Sequence, residues 1–508
     1  MNLKFRAFKN VGSNWFGAVV SLLVGIFLSP FILHRLGDEA FGLWILIFSL
    51  TGYYGIFDFG IRSAIVKYVA EFEATEDLDQ LTKIVNVSIF VYGCISLALL
   101  AVVGTGSLYV NSIFRIPAGF HHTARLLLLI VGSEVALSFP LSVFAGILEG
   151  LQRFYFVNLT QAVATLLRAL LIVLALNHGM GLLTVAFVTV VFPLLSYVVY
   201  AWKVMSIIPL QFGTRFLGWA VFRQMNRYSF YSFISTIAYR LRYQTDAVII
   251  GVMLSASAIT YFSIGSKLLN YSFLLVAGVG QIFTPMSSQF SASGDHDRLK
   301  KLFVLGNRAC ALIVFPISAI LIILGKPIID VWVGSRYESS YVILLILLIP
   351  SVLSDIQGSS RQILYGMGRH QVLAVVNIGE GVVNIILSVI FIHYWGIVGD
   401  ALGTAIPLTL TSLFFLPRHL CRLLKVSLRD FISHAYVLPL ALCMPLVVTL
   451  LFLQRLFHPH NLLQLAAQAT IGCLVYVGGA IWAFVSWEPM GLDLRLKCRQ
   501  YMRQAFGR

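Results

Sequence analysis

Charged side chains inside apolar sequence are the residues of this chain whose types and positions could do chemistry. Six bases (Arg168, Arg240, Arg242, Lys267, Arg308, Arg361) and five acids (Asp58, Glu134, Asp246, Asp355, Glu380) lie within apolar runs long enough to cross a bilayer. An ionised group there costs several kcal/mol unless it meets water or a partner, so each is a functional candidate. Counting about 1.5 Å per residue from the run ends puts Glu134, Arg168, Arg240, Arg242, Asp246, Lys267, Asp355 and Glu380 near the middle third. Arg308 falls in the inner third. Asp58, Arg62 and Arg361 fall at the cytoplasmic ends, where they read as gate or interface residues.

The bases suggest what is bound. A guanidinium fork matches phosphate oxygens. The run Tyr239-Arg-Leu-Arg-Tyr-Gln244 places two guanidiniums near the midplane. They stand about 200° apart around a helix, so only one can point straight into a cleft. Tyr239, Tyr243, Tyr261 and Tyr271 add flat faces and hydroxyls that suit sugar rings. Arg240, Lys267, Arg242, Arg168 and Arg308 are therefore the candidate lining of a basic lumen for an anionic, sugar-bearing ligand. Some charges have structural explanations: Asp58 and Arg62, and Arg242 and Asp246, are spaced to pair on one helix face. Glu134 and Glu380 have no base at that spacing. With Asp355 they are the candidates for coupling to protons or sodium, since an unpaired carboxylate in a low dielectric can load and release a proton.

Other chemistry is poorly supported. Asp77-Leu-Asp79 and Asp295-His-Asp297 match the D-x-D pattern of metal-dependent glycosyltransferases, but no nucleotide-binding domain accompanies them. They read as acidic helix starts, where carboxylates favour the positive end of the helix dipole. The six cysteines lack metal or redox spacing, and His458 and His460 alone make no metal site. No metal or other cofactor is expected, and no enzymatic role.

The elements that hold these charges are transmembrane helices. Of the 508 residues 59% are hydrophobic and 11% charged, and the mean hydropathy is +0.88. That excludes soluble, disordered and disulfide-stapled classes, and the long apolar runs exclude an outer-membrane barrel. Fourteen spans are predicted near 12–33, 41–61, 84–110, 124–147, 155–177, 180–202, 228–252, 256–282, 303–325, 341–367, 371–393, 396–417, 434–456 and 462–487. The N-terminal run has no cleavage site and reads as a retained first helix. The net charge of +15 reflects bases held in loops, not nucleic-acid binding. With the N-terminus inside, 24 Lys and Arg fall in inner segments against six in outer ones, so both termini are expected to be cytoplasmic.

The chain also repeats itself. At an offset of 218, the segment Phe72–Lys83 matches Phe290–Lys301 at Phe, Ala, Asp, Asp, Leu and Lys. At an offset of 216, Ile147–Arg153 matches Ile363–Arg369 at Ile, Leu, Gly and Arg. Each copy holds six spans, an even number, so the copies enter the membrane in the same direction. The expected architecture is all-α: an N-terminal six-helix bundle over 1–205, a cytoplasmic linker over 206–227 and a second bundle over 228–425. Residues 426–508 add two further helices and a basic tail. Two such bundles would leave a cleft, as in a V-shaped transporter.

Three segments carry a family resemblance: Arg35-Leu-Gly-Asp-Glu-Ala-Phe-Gly-Leu-Trp44, Phe57-Asp-Phe-Gly-Ile-Arg-Ser-Ala-Ile-Val-Lys67 and Gly366-Met-Gly-Arg369. The chain resembles the bacterial oligosaccharide flippases, Wzx-type translocases of O-antigen and exopolysaccharide within the MOP exporter superfamily. The resemblance implies a MATE-like fold in the inner membrane. It implies transfer of undecaprenyl-pyrophosphate-linked oligosaccharide from the cytoplasmic to the periplasmic leaflet by alternating access. An ion gradient, H+ or Na+, would drive it. The product would serve O-antigen, capsule or exopolysaccharide synthesis. Expected partners are the lipid-linked oligosaccharide, membrane lipids, and polysaccharide polymerase and export proteins, with the transporter itself a monomer. The competing readings are a multidrug or cation antiporter and a lipid II flippase of the same superfamily.

Overall fold

A computed structural model describes residues 3–75, 77–223, 225, 237, 245–280 and 283–486. Among these residues the secondary structure is helical throughout, without a strand. The chain is a multi-pass α-helical membrane protein. Among the described residues eleven helices are long and apolar enough to cross a membrane, or twelve if the bent pair Ser340–Asp355 and Gly358–Gly366 forms one span. The spans expected over 228–252 and 256–282 run into residues outside the described set, so the count of fourteen is not reached.

In the first repeat the helices are α1 (Leu3–Leu36), α2 (Asp38–Gly52), α3 (Ile61–Thr75), α4 (Leu78–Ile113), α5 (His121–Gly150), α6 (Phe154–Asn177) and α7 (Leu182–Met205). Then come α8 (Thr245–Met253), α9 (Ala256–Gly280), α10 (Phe283–Ala292), α11 (His296–Trp332), α12 (Ser340–Asp355), α13 (Gly358–Gly366), α14 (His370–Trp395), α15 (Ile397–Leu410) and α16 (Leu416–Leu424). The additional helices are α17 (Leu428–Ile432), α18 (Leu438–Leu456) and α19 (Leu462–Ser486).

Element starts recur at the offsets read from sequence. Asp38 of α2 corresponds to Ala256 of α9, Leu78 of α4 to His296 of α11, and Phe154 of α6 to His370 of α14. The D-x-D motifs are the caps of the repeated long helices. Asp77 accepts a 3.0 Å hydrogen bond from the Gln80 amide, and Asp295 accepts one of 3.0 Å from the Arg298 amide. Their second aspartates pair with Lys83 at 2.5 Å and Lys300 at 3.2 Å. These carboxylates satisfy orphan amides and sit at the positive ends of the helix dipoles.

A crossing of α2 with α9 follows the same duplication. A Cβ on Gly42 would stand 1.7 Å from the Ala256 carbonyl oxygen, so only glycine allows this approach. One turn away, Thr260 donates to the Asp38 carbonyl at 2.6 Å, and Ser257 donates to the Asp38 carboxylate at 2.9 Å. Position 42 meets 256 and position 38 meets 260, with each pair exchanged under the 218-residue offset. That reciprocity is the signature of an internal two-fold, as in an isologous interface.

Two compact units emerge. The first comprises Met1–Gly265 with Gln371–Pro407, and the second Ser266–His370 with Leu408–Arg508. The core of the first is built from α3, α4, α5 and α7, with Ile65, Val69, Leu81, Val85, Tyr92 and Ile147 fully buried. In the second unit α18 and α19 pack on α11 around Leu324, Leu446 and Leu450. Tyr476 donates to the Leu312 carbonyl at 2.7 Å, and Gln454 to that of Ile323 at 2.8 Å.

The second unit also holds two π-turns, Thr411–Phe415 and Ser433–Val437. A π-turn widens the hydrogen-bonded ring and disturbs the helical ladder. In each, a long side chain from a neighbouring segment serves a carbonyl. Gln357 donates to Ser412 at 2.5 Å, and Arg308 Nε donates to His434 at 2.6 Å.

Candidate functional site

At the end of the first unit where α4 is capped, the polar groups are tightly paired. Arg62 holds Glu149 in a two-pronged ion pair, with Nη2 to Oε1 at 2.5 Å and Nε to Oε2 at 3.3 Å. Tyr92 donates its hydroxyl to Asp58. The i,i+4 pairing of Asp58 with Arg62 expected from sequence is not formed. The chain leaves its 3-10 turn at Asp58, passes through left-handed Phe59 and Gly60 (φ 48° and 74°), and restarts a helix at Ile61. The two residues therefore share no helix face.

Deeper in the same unit, three helices contribute a cluster that sequence reasoning largely missed. Asp246 of α8 accepts from Thr404 of α15 at 3.0 Å. Asn384 of α14 donates to the Thr404 hydroxyl at 2.9 Å. Ser388 donates to the Asn384 side chain at 3.2 Å and to the Asp400 carbonyl at 3.3 Å. Asp400 is fully buried, and neither of its carboxylate oxygens has a hydrogen-bond partner among the described residues. Asp246 lies close enough to repel it. Gly399 and Gly403 make the cluster possible. A Cβ on Gly403 would lie 2.5 Å from the Ser388 nitrogen, and one on Gly399 would lie 2.1 Å from the Phe391 oxygen. Small residues four apart bring α15 onto α14 backbone to backbone. Two carboxyls, an amide and two hydroxyls meet here, with Asn384, Ser388 and Asp400 buried and Asp246 and Thr404 half-buried. Asp246 was visible in sequence as a mid-span acid. Asp400 was not singled out, although the pattern Gly399-Asp-Ala-Leu-Gly403 in an apolar run could have revealed it.

The remaining sequence candidates are distributed between the units. Arg168 is half-buried midway along α6 and makes no ion pair or hydrogen bond among the described residues. Glu134 is half-buried on α5 with Tyr197 as its electrostatic neighbour. Glu380 is buried on α14. In the second unit Lys267 is half-buried on α9. Asp355 pairs with Arg361 at 3.5 Å across the 44° bend between α12 and α13, and Arg361 also donates to Ser354 at 2.7 Å. Arg308 serves the His434 carbonyl. Arg240 and Arg242, with Tyr239 and Tyr243, lie outside the described residues. No group of three or more His, Cys, Asp or Glu suited to a metal occurs among the described residues.

With this geometry in hand, comparison with known proteins is decisive at the family level. The model of the polysaccharide biosynthesis protein family matches residues 32–342. The chain belongs to that family. Two of the three resembling segments, Arg35–Trp44 and Phe57–Lys67, fall within the match. Among curated relatives of this polysaccharide biosynthesis protein is one from Shigella flexneri, named provisionally as an O-antigen transporter. It is 22% identical over 410 residues, covering 80% of this chain and 96% of the relative. A Haloferax volcanii protein, named provisionally as the low-salt glycan biosynthesis flippase Agl15, is 24% identical over 184 residues. That match covers 36% of this chain and 39% of the relative. Among solved structures, the lipid II flippase MurJ in an inward closed conformation gives a TM-score of 0.70. Its identity is 18%, with 94% and 98% of the two chains covered. An inward-facing multidrug MATE transporter of the MOP superfamily gives 0.68 at 14% identity, covering 80% and 95%. These likenesses establish a MurJ- and MATE-like fold.

Proposed function

We propose that this protein carries undecaprenyl-pyrophosphate-linked oligosaccharide from the cytoplasmic to the periplasmic leaflet of a bacterial inner membrane, both termini being cytoplasmic. It does so without covalent catalysis, by alternating access of its repeated halves. The observation that carries the reading is Arg168. It is a half-buried guanidinium midway along a membrane helix, in a stretch with no Asp or Glu between Glu149 and Asp246. A group that costs this much to hold in hydrocarbon is suited to an anionic headgroup that arrives and leaves. Lys267, and Arg240 and Arg242 by sequence, extend the basic character. The provisional names of the relatives, an O-antigen transporter and a glycan flippase, support the same cargo. The α2–α9 crossing supports a state closed at the end where those two helices begin.

The drive is an H+ or Na+ gradient. The cluster of Asp246, Asn384, Ser388, Asp400 and Thr404 is better furnished for the coupling ion than Glu134, Glu380 or Asp355, because a buried carboxyl without a hydrogen-bond partner among the described residues lies beside a second carboxyl that repels it, a charge a proton or small cation would neutralise. Polymerase and export proteins would take the product on the far side.

The test is transfer of a fluorescent lipid-linked oligosaccharide in proteoliposomes. Arg168→Ala should lower transfer by about tenfold or more, and Arg168→Lys should recover part of it. Asp400→Asn should abolish the dependence on the gradient, and Glu134→Gln should keep it. Full transfer by Arg168→Ala with Arg240 and Lys267 also removed would reject an anionic cargo.

A further inference from the structure

The segment that follows α7 is clamped to the first unit. Asn86 of α4 is buried and uses its whole amide. It donates to the carbonyls of Thr82 at 2.8 Å and Gln211 at 2.7 Å, and accepts from the Gly213 amide at 2.9 Å. Ile208 and Met225 are buried in the unit's core, and Leu210, Leu217, Val221 and Phe222 pack against it. Residues 206–223, with Met225, therefore form a strap with a fixed inner face. Its outer face is aromatic and basic. Phe212 is 50% exposed and Trp219 76%, and Trp202 at the end of α7 is 66% exposed. Trp219 stands on Phe222 with ring centroids 5.0 Å apart, so its exposure is held in place from below. Arg215 lies 4.7 Å over the Phe216 ring and donates to Gln211 at 2.7 Å. Lys203 lies 5.9 Å from both the Trp202 and Phe156 rings. Arg223 is exposed, and no acid occurs in the sequence between Glu149 and Asp246.

We infer that this strap is a docking surface for anionic phospholipid headgroups of the leaflet that α7 leaves. Tryptophan and phenylalanine side chains fixed in water are unfavourable, whereas at a membrane interface they are anchors. Bases beside them add attraction that depends on headgroup charge, about a factor of five per residue near the surface. A strap pinned at Asn86 presents Phe212, Arg215, Trp219 and Arg223 together. The first unit thereby gains a contact with lipid that is specific for charge.

The test uses the full chain in nanodiscs, with the six native cysteines replaced by alanine and a nitroxide label at Ala220→Cys. Contact is read as accessibility to oxygen, which favours lipid, against a water-soluble nickel chelate. In phosphatidylcholine doped with rising phosphatidylglycerol, the label should move from chelate-accessible to oxygen-accessible. Arg215→Gln with Arg223→Gln should shift the half-change to a phosphatidylglycerol fraction at least about twofold higher, or abolish the change across the whole range. Arg215→Lys with Arg223→Lys should restore it. A label equally open to the chelate at all compositions overturns the inference. So does a phosphatidylglycerol response that survives loss of both arginines. Displacement of the label by an isoprenoid pyrophosphate would make the strap a landing site for cargo instead, and would equally overturn it.

Discussion

The two units each contain a helix crossing at the foot of a long capped helix, and the two crossings are alike in shape but not in charge. In the first, α3 crosses α5 at Gly150, where a Cβ would lie 2.6 Å from the Val69 Cβ and 2.9 Å from the Val66 carbonyl oxygen. In the second, α10 crosses α13 at Gly366, where a Cβ would lie 1.9 Å from the Ser287 hydroxyl and 2.5 Å from the Thr284 carbonyl oxygen. Val66 and Thr284, like Val69 and Ser287, are 218 positions apart. The helix ends match as well: Gln152 and Gly368 both adopt left-handed backbone, at φ 54° and 72°. The following Arg153 and Arg369 amides both reach back to the preceding helix at 2.8 Å. Yet the first crossing carries the Arg62–Glu149 ion pair, and the second carries a neutral bond of 2.7 Å from Thr284 to Gln362. Backbone approach has been retained in both copies while the charges have diverged. Geometry at such a crossing is a packing constraint with few solutions, whereas a surface-near polar pair can be exchanged at small cost.

Substitutions should separate these two components, and thermal unfolding of the detergent-solubilised protein reads them. The largest effect should come from Gly366→Ala, about 3 kcal/mol, because backbone has to move. Gly150→Ala should cost less, about 2 kcal/mol, since a valine side chain takes much of the clash. The reverse order would break the geometric half of the comparison. Next, Arg62→Ala should cost about 2 kcal/mol by leaving a mostly buried Glu149 carboxylate unpaired, with some relief from solvent. Gln362→Ala should cost about 1 kcal/mol. Added salt should narrow the gap between wild type and Arg62→Ala and leave the Gln362→Ala gap unchanged. Asp77→Ala and Asp295→Ala should each cost about 1 kcal/mol, equal to one another if the caps are equivalent. The smallest and most diagnostic pair is Gln152→Gly, stabilising by about 0.5 kcal/mol, and Gly368→Gln, destabilising by about 1 kcal/mol. At this matched helix end, only the first copy carries left-handed strain to relieve.

What could be read from the sequence was what is local or polar. The caps at Asp77 and Asp295, the repeat in the loops and the membrane-spanning class all follow from short patterns. The Arg62–Glu149 pair could not, because helical spacing compares a residue only with neighbours on its own helix. The break at Phe59–Gly60 removes even that. Asp400 was passed over for a different reason. Depth counted along a span ranks it as peripheral, whereas its burial comes from Gly399 and Gly403 drawing α15 against α14. The bend at Asp355–Gly358 was hidden for the same reason. Pro350 lies inside α12, and the break comes later, at a Gln357 held by Leu353 and Ser412. Tertiary contact placed these features, and hydropathy does not encode it.

The two π-turns have a consequence for heredity. Each is one residue longer than an α-helix needs. Deleting a single codon within Thr411–Phe415 would leave a continuous helix of unchanged hydropathy. It would also rotate everything beyond by roughly 100°, turning Arg418 and Arg422 to new faces and taking the Ser412 carbonyl from Gln357. A deletion within Ser433–Val437 would do the same to α18 and to the carbonyl held by Arg308. Length variation should therefore be harmless in a loop such as 457–461 and incompatible with activity in these two five-residue segments. To a hydropathy plot the two turns are indistinguishable from the helices around them.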